Sequence, residues 1–237
     1  MRHVLLILLC GLLAACAGTQ SRNTDPVNDP WEGYNRKIHA FNMGMDKYVL
    51  RPVAKGYDTI TPDPLQRGIG NFFRNLSYPV TGLNQLFQGK FADFGESTER
   101  FLFNTVFGLF GFFDIATKGG IPDHDEDFGQ TLAGWGWDDS RYFVLPFLGP
   151  STLRDTAGRS FYGYFHPISY LAREEGIYWP IFADLVQIRA SLLPQDEAIL
   201  NAYDPYVFIR DAWLQRRQYL IYDGVPPTPD YEAYLED

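Results

Sequence analysis

Phe101-Leu102-Phe103-Asn104-Thr105-Val106-Phe107-Gly108-Leu109-Phe110-Gly111-Phe112-Phe113 is the stretch on which the fold turns. It carries six phenylalanines, relieved only by Asn104, Thr105, Gly108 and Gly111. A helix of this length rises about 20 Å, short of the ~30 Å hydrocarbon core of a bilayer, so the run does not predict a transmembrane span. Two readings stay open: a helix buried in a core, or one lying at a membrane interface or half inserted. On the second reading Phe101, Phe103, Phe107, Phe110, Phe112 and Phe113 are the membrane-contact candidates. Residues 91–100, with Asp93, Glu96, Glu99 and Arg100, read as an amphipathic helix leading into the run. Eleven of the 19 phenylalanines fall between Phe72 and Phe113, so any membrane-contacting surface is concentrated here. Gly108 and Gly111 permit bending, as at a gate, or close helix approach; close packing is the simpler reading.

On both sides of this run apolar residues recur at helical spacing. Asp29-Pro30 suits a helix start, with a capping acid and a first-turn proline. Trp31, Tyr34, Ile38, Phe41, Met45 and Tyr48 follow at intervals of three and four. Pro52 is expected to end or interrupt that helix. Asp63-Pro64 opens another, carrying Leu65, Ile69, Phe72, Phe73 and Leu76, and Pro79 is expected to restart the chain before Val80, Leu83 and Phe87. Residues 118–127 form a loop rich in glycine, proline and acid. Residues 130–137 and 141–147 flank Asp138-Asp139-Ser140 and are expected to pair as a short hairpin, weakened at Gly134 and Gly136. Ser151 or Thr152 caps a helix through Tyr162, and Pro167 starts another turn. Ile181, Leu185, Ile188 and Leu192 stripe a helix before Pro194. Asp204-Pro205 begins the last helix, with Tyr206, Ile209, Trp213 and Leu220 inward and Arg210, Arg216 and Arg217 solvated. The fold class is mainly α with one short β-hairpin, in one domain over residues 29–224. An acidic, proline-containing tail follows at 225–237.

The chain begins with Arg2, His3 and an apolar run at 4–13, closed by Leu13-Ala14-Ala15-Cys16. Small residues before a cysteine in this setting resemble the bacterial lipobox. The resemblance implies that residues 1–15 are a signal peptide and that Cys16 becomes the first residue, carrying S-diacylglyceryl and N-acyl chains. Acyl burial contributes about 0.8 kcal/mol per CH2, and two or more chains hold a protein stably. Ala17 after the cysteine resembles the outer-membrane sorting pattern, with the domain facing the periplasm. Residues 16–28 read as the tether. Cys10 leaves with the leader, so no disulfide is expected.

Removing the leader takes Arg2 from the 20 basic residues, leaving 19 against 29 acidic ones, a charge of −10. That balance argues against a nucleic-acid partner. With 19 Phe, 15 Tyr and 5 Trp, the chain carries more apolar surface than a soluble domain readily hides. No P-loop, GxGxxG turn or HExxH is present. Gly158-Arg159-Ser160-Phe161 approaches a nucleophile elbow, but Tyr162 stands where glycine is needed. His124 among Asp123, Asp125, Glu126 and Asp127 lacks calcium-loop spacing and reads as a solvated acidic loop. His39 and His166 have no evident sequence partner. The chain is read as a non-enzyme with no metal and no cofactor beyond the lipid on Cys16.

Several motifs resemble the MlaA (VacJ) family of outer-membrane lipoproteins. They are Asp29-Pro30-Trp31-Glu32-Gly33-Tyr34-Asn35-Arg36 with Phe41-Asn42 and Arg51-Pro52-Val53-Ala54; Arg100-Phe101-Leu102-Phe103-Asn104-Thr105 with Gly108, Gly111 and Asp114-Ile115-Ala116; and Phe128-Gly129-Gln130-Thr131-Leu132. Leu145-Pro146-Phe147-Leu148-Gly149-Pro150-Ser151-Thr152-Leu153-Arg154-Asp155 and Asp204-Pro205-Tyr206 continue the series. The resemblance covers nearly all of the mature domain and stops after Gly224. It implies a ring-like bundle of amphipathic helices in the inner leaflet of the outer membrane. It further implies removal of mislocalised phospholipid from the outer leaflet, delivery to a soluble periplasmic carrier, and association with trimeric porins. Asn35, Phe41, Asn42, Asn104, Gly108 and Gly111 are the channel and family-motif candidates on this basis, and Arg154 and Asp155 read as a structural pair or cap. A structural envelope lipoprotein without transport, or a phospholipid hydrolase, are the alternatives.

Overall fold

A computed structural model describes residues 29–138 and 140–227. The leader, the tether, Cys16, Asp139 and residues 228–237 of the acidic tail lie outside the described residues. The chain is mainly helical: α1 Glu32–Met45, α2 Arg51–Ile60, α3 Asp63–Gln88, α4 Phe91–Val106, α5 Ile115–Lys118 and α6 Phe128–Gly134 precede a β1 Tyr142–Leu145, β2 Gly149–Thr152 hairpin. α7 Leu153–Phe165, α8 Pro167–Glu175, α9 Trp179–Ser191, α10 Asp196–Leu200 and α11 Pro205–Ile221 follow. α3 is the axis of the packing, lying along α4 and also meeting α6, α8 and α9.

The two prolines act differently. Pro52 interrupts the first helix, as expected, without stopping it; the chain widens into a π turn at Asp46–Leu50, whose exit bond runs from the Arg51 N–H to the Asp46 carbonyl. A wider turn relieves the clash a proline ring makes with the preceding turn. Pro79 lies inside α3, a continuous helix of 26 residues. An interior proline costs about 3 kcal/mol. Burial of Phe73 and Tyr78 before it and of Val80, Asn84 and Gln85 after it holds the helix together.

The hairpin exists, but residues 130–134 are helical and β1 pairs instead with β2, Tyr142 opposite Thr152 and Leu145 opposite Gly149. Asp127 decides this by accepting the Gln130 N–H as an N-cap, which commits the following residues to α6. The turn is Pro146-Phe147-Leu148, with Phe147 at φ 64° and Gly149 at φ 77°. Tyr142 and Val144 of β1 are buried against Tyr206 of α11, with Ile38, Trp213 and Leu214 around them.

The phenylalanine run is not one helix. α4 ends at Val106, and Leu109, Phe110 and Gly111 take left-handed backbone at φ 52°, 58° and 96°. For a non-glycine residue such backbone is uncommon and needs outside support. That support comes from α3. Asn75 Nδ2 donates to Thr105 Oγ1 at 2.9 Å and to the Phe110 carbonyl at 3.3 Å, and Asn71 Nδ2 donates to the Phe112 carbonyl at 3.3 Å. Gly111 is required where it stands, since a Cβ there would lie 2.3 Å from Asn75 Cβ. Gly108 is equally tight, 2.1 Å from the Phe113 carbonyl oxygen.

Candidate functional site

The described residues are arranged with polarity turned inward. Eighteen buried side chains are polar or charged against 13 that are hydrophobic, the reverse of a water-soluble core. Meanwhile Leu102, Val106, Phe107 (67 % exposed), Leu109 and Phe110 (69 %) face out from the end of α4 and its turn. Phe103 and Phe113 are also exposed; Phe101 and Phe112 are half-buried, and the tip of the Phe112 ring sits over Gly68 of α3. Ile181, Phe182 and Leu185 of α9 point outward, while Asp184 and Gln187 of the same helix face a cavity. No helix of the described residues is long and apolar enough to cross a membrane. Exposed apolar patches of this extent mark a surface that meets a membrane or a partner.

Two of the cavities among the described residues share a wall. The first, about 400 Å3, lies between the start of α6, α7 and α11, bounded by Asp127, Asp155, Arg159, Tyr162, Trp213 and Arg217. The second, about 430 Å3, lies between α3, α7 and α9, bounded by Asn71, Arg74, Ser77, Tyr162, Asp184 and Gln187. Tyr162 belongs to both walls, with its hydroxyl 3.4 Å from Ser77 Oγ.

The first cavity is organised by Arg217. Its guanidinium donates to both oxygens of Asp127, at 2.5 and 2.7 Å, and to Asp155 Oδ1 at 2.7 Å, tying α11 to the caps of α6 and α7. Burial is the largest single influence and works against the Asp127 charge, but the hydrogen bonds and charge of Arg217, with the backbone N–H groups of Gln130 and Gly129, together hold the carboxyl below its usual range. Arg210 is likewise buried, against Asp29 at 3.3 Å. The expectation that Arg210 and Arg217 are solvated is therefore corrected; of the three arginines only Arg216 is exposed. In the second cavity Arg74 pairs with Asp123 at 2.7 Å, and burial pushes the Asp184 carboxyl up.

The asparagines singled out from the sequence serve the backbone. Asn35 is fully buried; its Nδ2 donates to Asp29 Oδ1 at 2.8 Å and its Oδ1 accepts the Val144 N–H at 2.9 Å. Asn42 holds the hairpin turn, donating to the Leu145 carbonyl at 2.9 Å and accepting from the Phe147 N–H at 2.8 Å. Asn104 Oδ1 accepts the N–H groups of Ile115 and Ala116 at 2.8 and 2.9 Å. Beside it Arg100, 1 % exposed, binds Asp114 at 3.0 Å and the Tyr78 hydroxyl at 2.8 Å. None of these asparagines lines either cavity. Phe41 packs edge-on against Phe147, 5.1 Å between centroids. Arg154 donates to the Trp137 and Asp138 carbonyls, and Asp155 accepts from the Thr152 hydroxyl. Asn71, Asn75 and Arg159 were not singled out by the sequence, and Arg217 was read there as solvated.

One pair has the composition of a hydrolase dyad: Ser77 Oγ lies 3.3 Å from His166 Nε2. Its polarity is reversed. The Ile168 N–H donates to His166 Nδ1, which therefore carries no proton, so in the neutral ring Nε2 holds the hydrogen and donates to serine. Burial pushes the imidazole down to about 4, away from a useful base at neutral pH. Ser160 is exposed on α7.

An outward apolar surface over an inward polar one is the organisation of a helical protein that works against lipid. The chain belongs to the MlaA lipoprotein family, whose model matches residues 27–220. It is 32 % identical over 240 residues to the intermembrane phospholipid transport system lipoprotein MlaA of Escherichia coli, covering 95 % of this chain and 92 % of that one. The Haemophilus influenzae protein of the same name is 34 % identical, covering 92 % and 91 %. A solved chain reported for the structural basis for maintenance of bacterial outer membrane lipid asymmetry superposes with a TM-score of 0.71. It is 32 % identical and is covered over 98 % of its length, with 81 % of this chain.

Proposed function

We propose that this protein is the outer-membrane lipoprotein of an intermembrane phospholipid transport system, removing mislocalised phospholipid from the outer leaflet and passing it to a soluble periplasmic carrier. The observation that carries the reading is the inversion of polarity: phenylalanines at the end of α4 and apolar residues of α9 are exposed, while buried side chains are largely polar and arginine, aspartate, serine and asparagine stand in the cavity walls. Acyl chains remain in apolar surroundings while the headgroup moves past polar groups, which lowers the cost of taking a charged phosphate through a low-dielectric layer. On this reading the helices lie in the inner leaflet, Cys16 anchors the chain through its acyl groups, and trimeric porins are the lateral partners. The chain holds no nucleotide-binding motif, so direction comes from its partners or from a lipid gradient.

The experiment is outer-leaflet phospholipid in a strain lacking the protein, restored with the natural gene or with Cys16→Ala. A rise on deletion, reversed only by the lipidatable form, is the expected result. An unchanged outer leaflet would remove asymmetry maintenance and leave a structural envelope role.

A further inference from the structure

Arg159 is the unneutralised charge of the first cavity. Its guanidinium donates to the Pro150 carbonyl at 3.2 Å and forms no ion pair within 4.0 Å among the described residues. It shares the cavity wall with Arg216 and Arg217, against the carboxylates of Asp127 and Asp155, both of which Arg217 already binds. Arg216 pairs with Asp125 at 3.6 Å and Arg217 with Asp127 and Asp155, so among the described residues Arg159 is the one positive group of this wall with no ion pair, on a chain whose net charge is −9. A second observation points the same way. Arg217 Nε is buried and has no hydrogen-bond partner, although its two terminal nitrogens are engaged. A buried N–H of a charged group left unmatched is costly, and a bound acceptor would relieve it. Arg159 still reaches solvent, but desolvation by the surrounding protein, with the nearby Arg217 charge, disfavours its cation, though Asp155 and Asp127 oppose this; an anion would restore it. The rest of the wall is Trp213, Leu220 and the Tyr162 ring, apolar surface beside the charge.

We propose that this cavity is a phosphate-binding site in which Arg159, with Arg217 and Arg216, holds the phosphate group of a phospholipid headgroup, or free phosphate. Guanidinium groups match phosphate oxygens through paired N–H donors, which gives this anion preference over a simple charge. Tyr162 places the site next to the second cavity, so a headgroup bound by Arg159 has polar surface on both sides of it. The lipid form of the proposal rests on the transport reading; phosphate recognition by Arg159 does not.

The test uses the full lipidated protein in maltoside micelles, with three probes: dihexanoylphosphatidylglycerol, dihexanoylglycerol lacking the phosphate, and inorganic phosphate. Binding is followed by calorimetry in the natural protein, Arg159→Gln and Arg159→Lys. The expected result is binding of the phosphate-bearing lipid and not of dihexanoylglycerol, weakened about tenfold or more by Arg159→Gln and largely retained by Arg159→Lys. Inorganic phosphate binding as tightly as the lipid, with the same dependence on Arg159, supports the site with free phosphate as its ligand. Equal affinity in the natural protein and a normally melting Arg159→Gln, or equal binding of dihexanoylglycerol, overturns it. Failure here leaves the deletion phenotype untouched, whereas a silent deletion removes the transport reading even if Arg159 binds phosphate.

Discussion

Gly158 of α7 lies so close to Gly129 of α6 that a Cβ on Gly158 would stand 2.6 Å from the Gly129 nitrogen. Gly129 is confined from its other side, where a Cβ would meet Asp155 Oδ1 at 2.2 Å and Arg217 Nη2 at 2.5 Å. The crossing of two helices and the clasp of Arg217 on two carboxylates thus occupy the space of two missing methyl groups. Gly129→Ala and Gly158→Ala are each expected to destabilise by about 1–3 kcal/mol, the usual cost of forcing a methyl group into packed surroundings. Gly163→Ala, with nothing within 4 Å of its Cβ position, is the control and should stabilise slightly. Thermal unfolding in detergent reads all three; equal melting points would remove the crossing as a constraint.

Asn35 and Asn42 distinguish a structural from a channel role. Both amides end on the hairpin backbone, Asn35 at Val144 and Asn42 at Leu145 and Phe147. Asn35→Ala leaves a buried N–H unmatched, at a cost of about 1–3 kcal/mol. Asn42→Ala is expected to loosen the Pro146-Phe147-Leu148 turn and expose it to limited proteolysis. Lost lipid transport with unchanged melting and unchanged cleavage would place these residues in the transport path instead.

The helical class and most segment starts were legible because caps and prolines sit at their usual places, as at Asp204, Thr152 and Pro167. The inward arginines were misread as solvated, although Tyr206, Arg210, Trp213, Arg217 and Leu220 recur at four and three, a spacing that puts Arg210 and Arg217 on the apolar stripe rather than beside it. The clasp itself was not legible, because its acids come from Asp127 and Asp155, 90 and 62 residues away. The hairpin partner was missed for a local reason, since the Asp127 cap takes residues 130–134 into a helix before they can pair. The break after Val106 was hidden because its support, Asn71 and Asn75, comes from another helix.

His166 makes stability depend on pH in a defined direction. It is 2 % exposed, and burial pushes its imidazole down to about 4, whereas the unfolded chain titrates near 6.5. Between these values the unfolded state binds the extra proton, so stability is full above pH 6.5 and falls as pH drops toward 4, by at most about 3 kcal/mol. His166→Asn keeps an acceptor for the Ile168 N–H and removes the titration. The difference between the two unfolding profiles should grow from pH 7 to pH 4; parallel profiles would show that the ring is not buried in its neutral form.

Phe107 and Phe110 test which face meets lipid. Both rings are more than half exposed, and Phe110 stands on left-handed backbone whose carbonyl is held by Asn75. Backbone outside a helix is tolerated at membrane depth only when its polar groups are matched from within, and the Asn75 and Asn71 bonds do this. Burying a phenylalanine contributes about 1.5–3 kcal/mol, so each Phe→Asp change should weaken vesicle partitioning of Cys16→Ala protein at least about tenfold. Neither ring supports the interior, so melting should be unchanged. Flotation with vesicles reads the partitioning, and Tyr203→Asp, a fully exposed site on the loop before α11, is the comparison. If that change detaches the protein as strongly as Phe107→Asp, the membrane face is not confined to the phenylalanine turn; if it does not, the turn is the part that enters the leaflet.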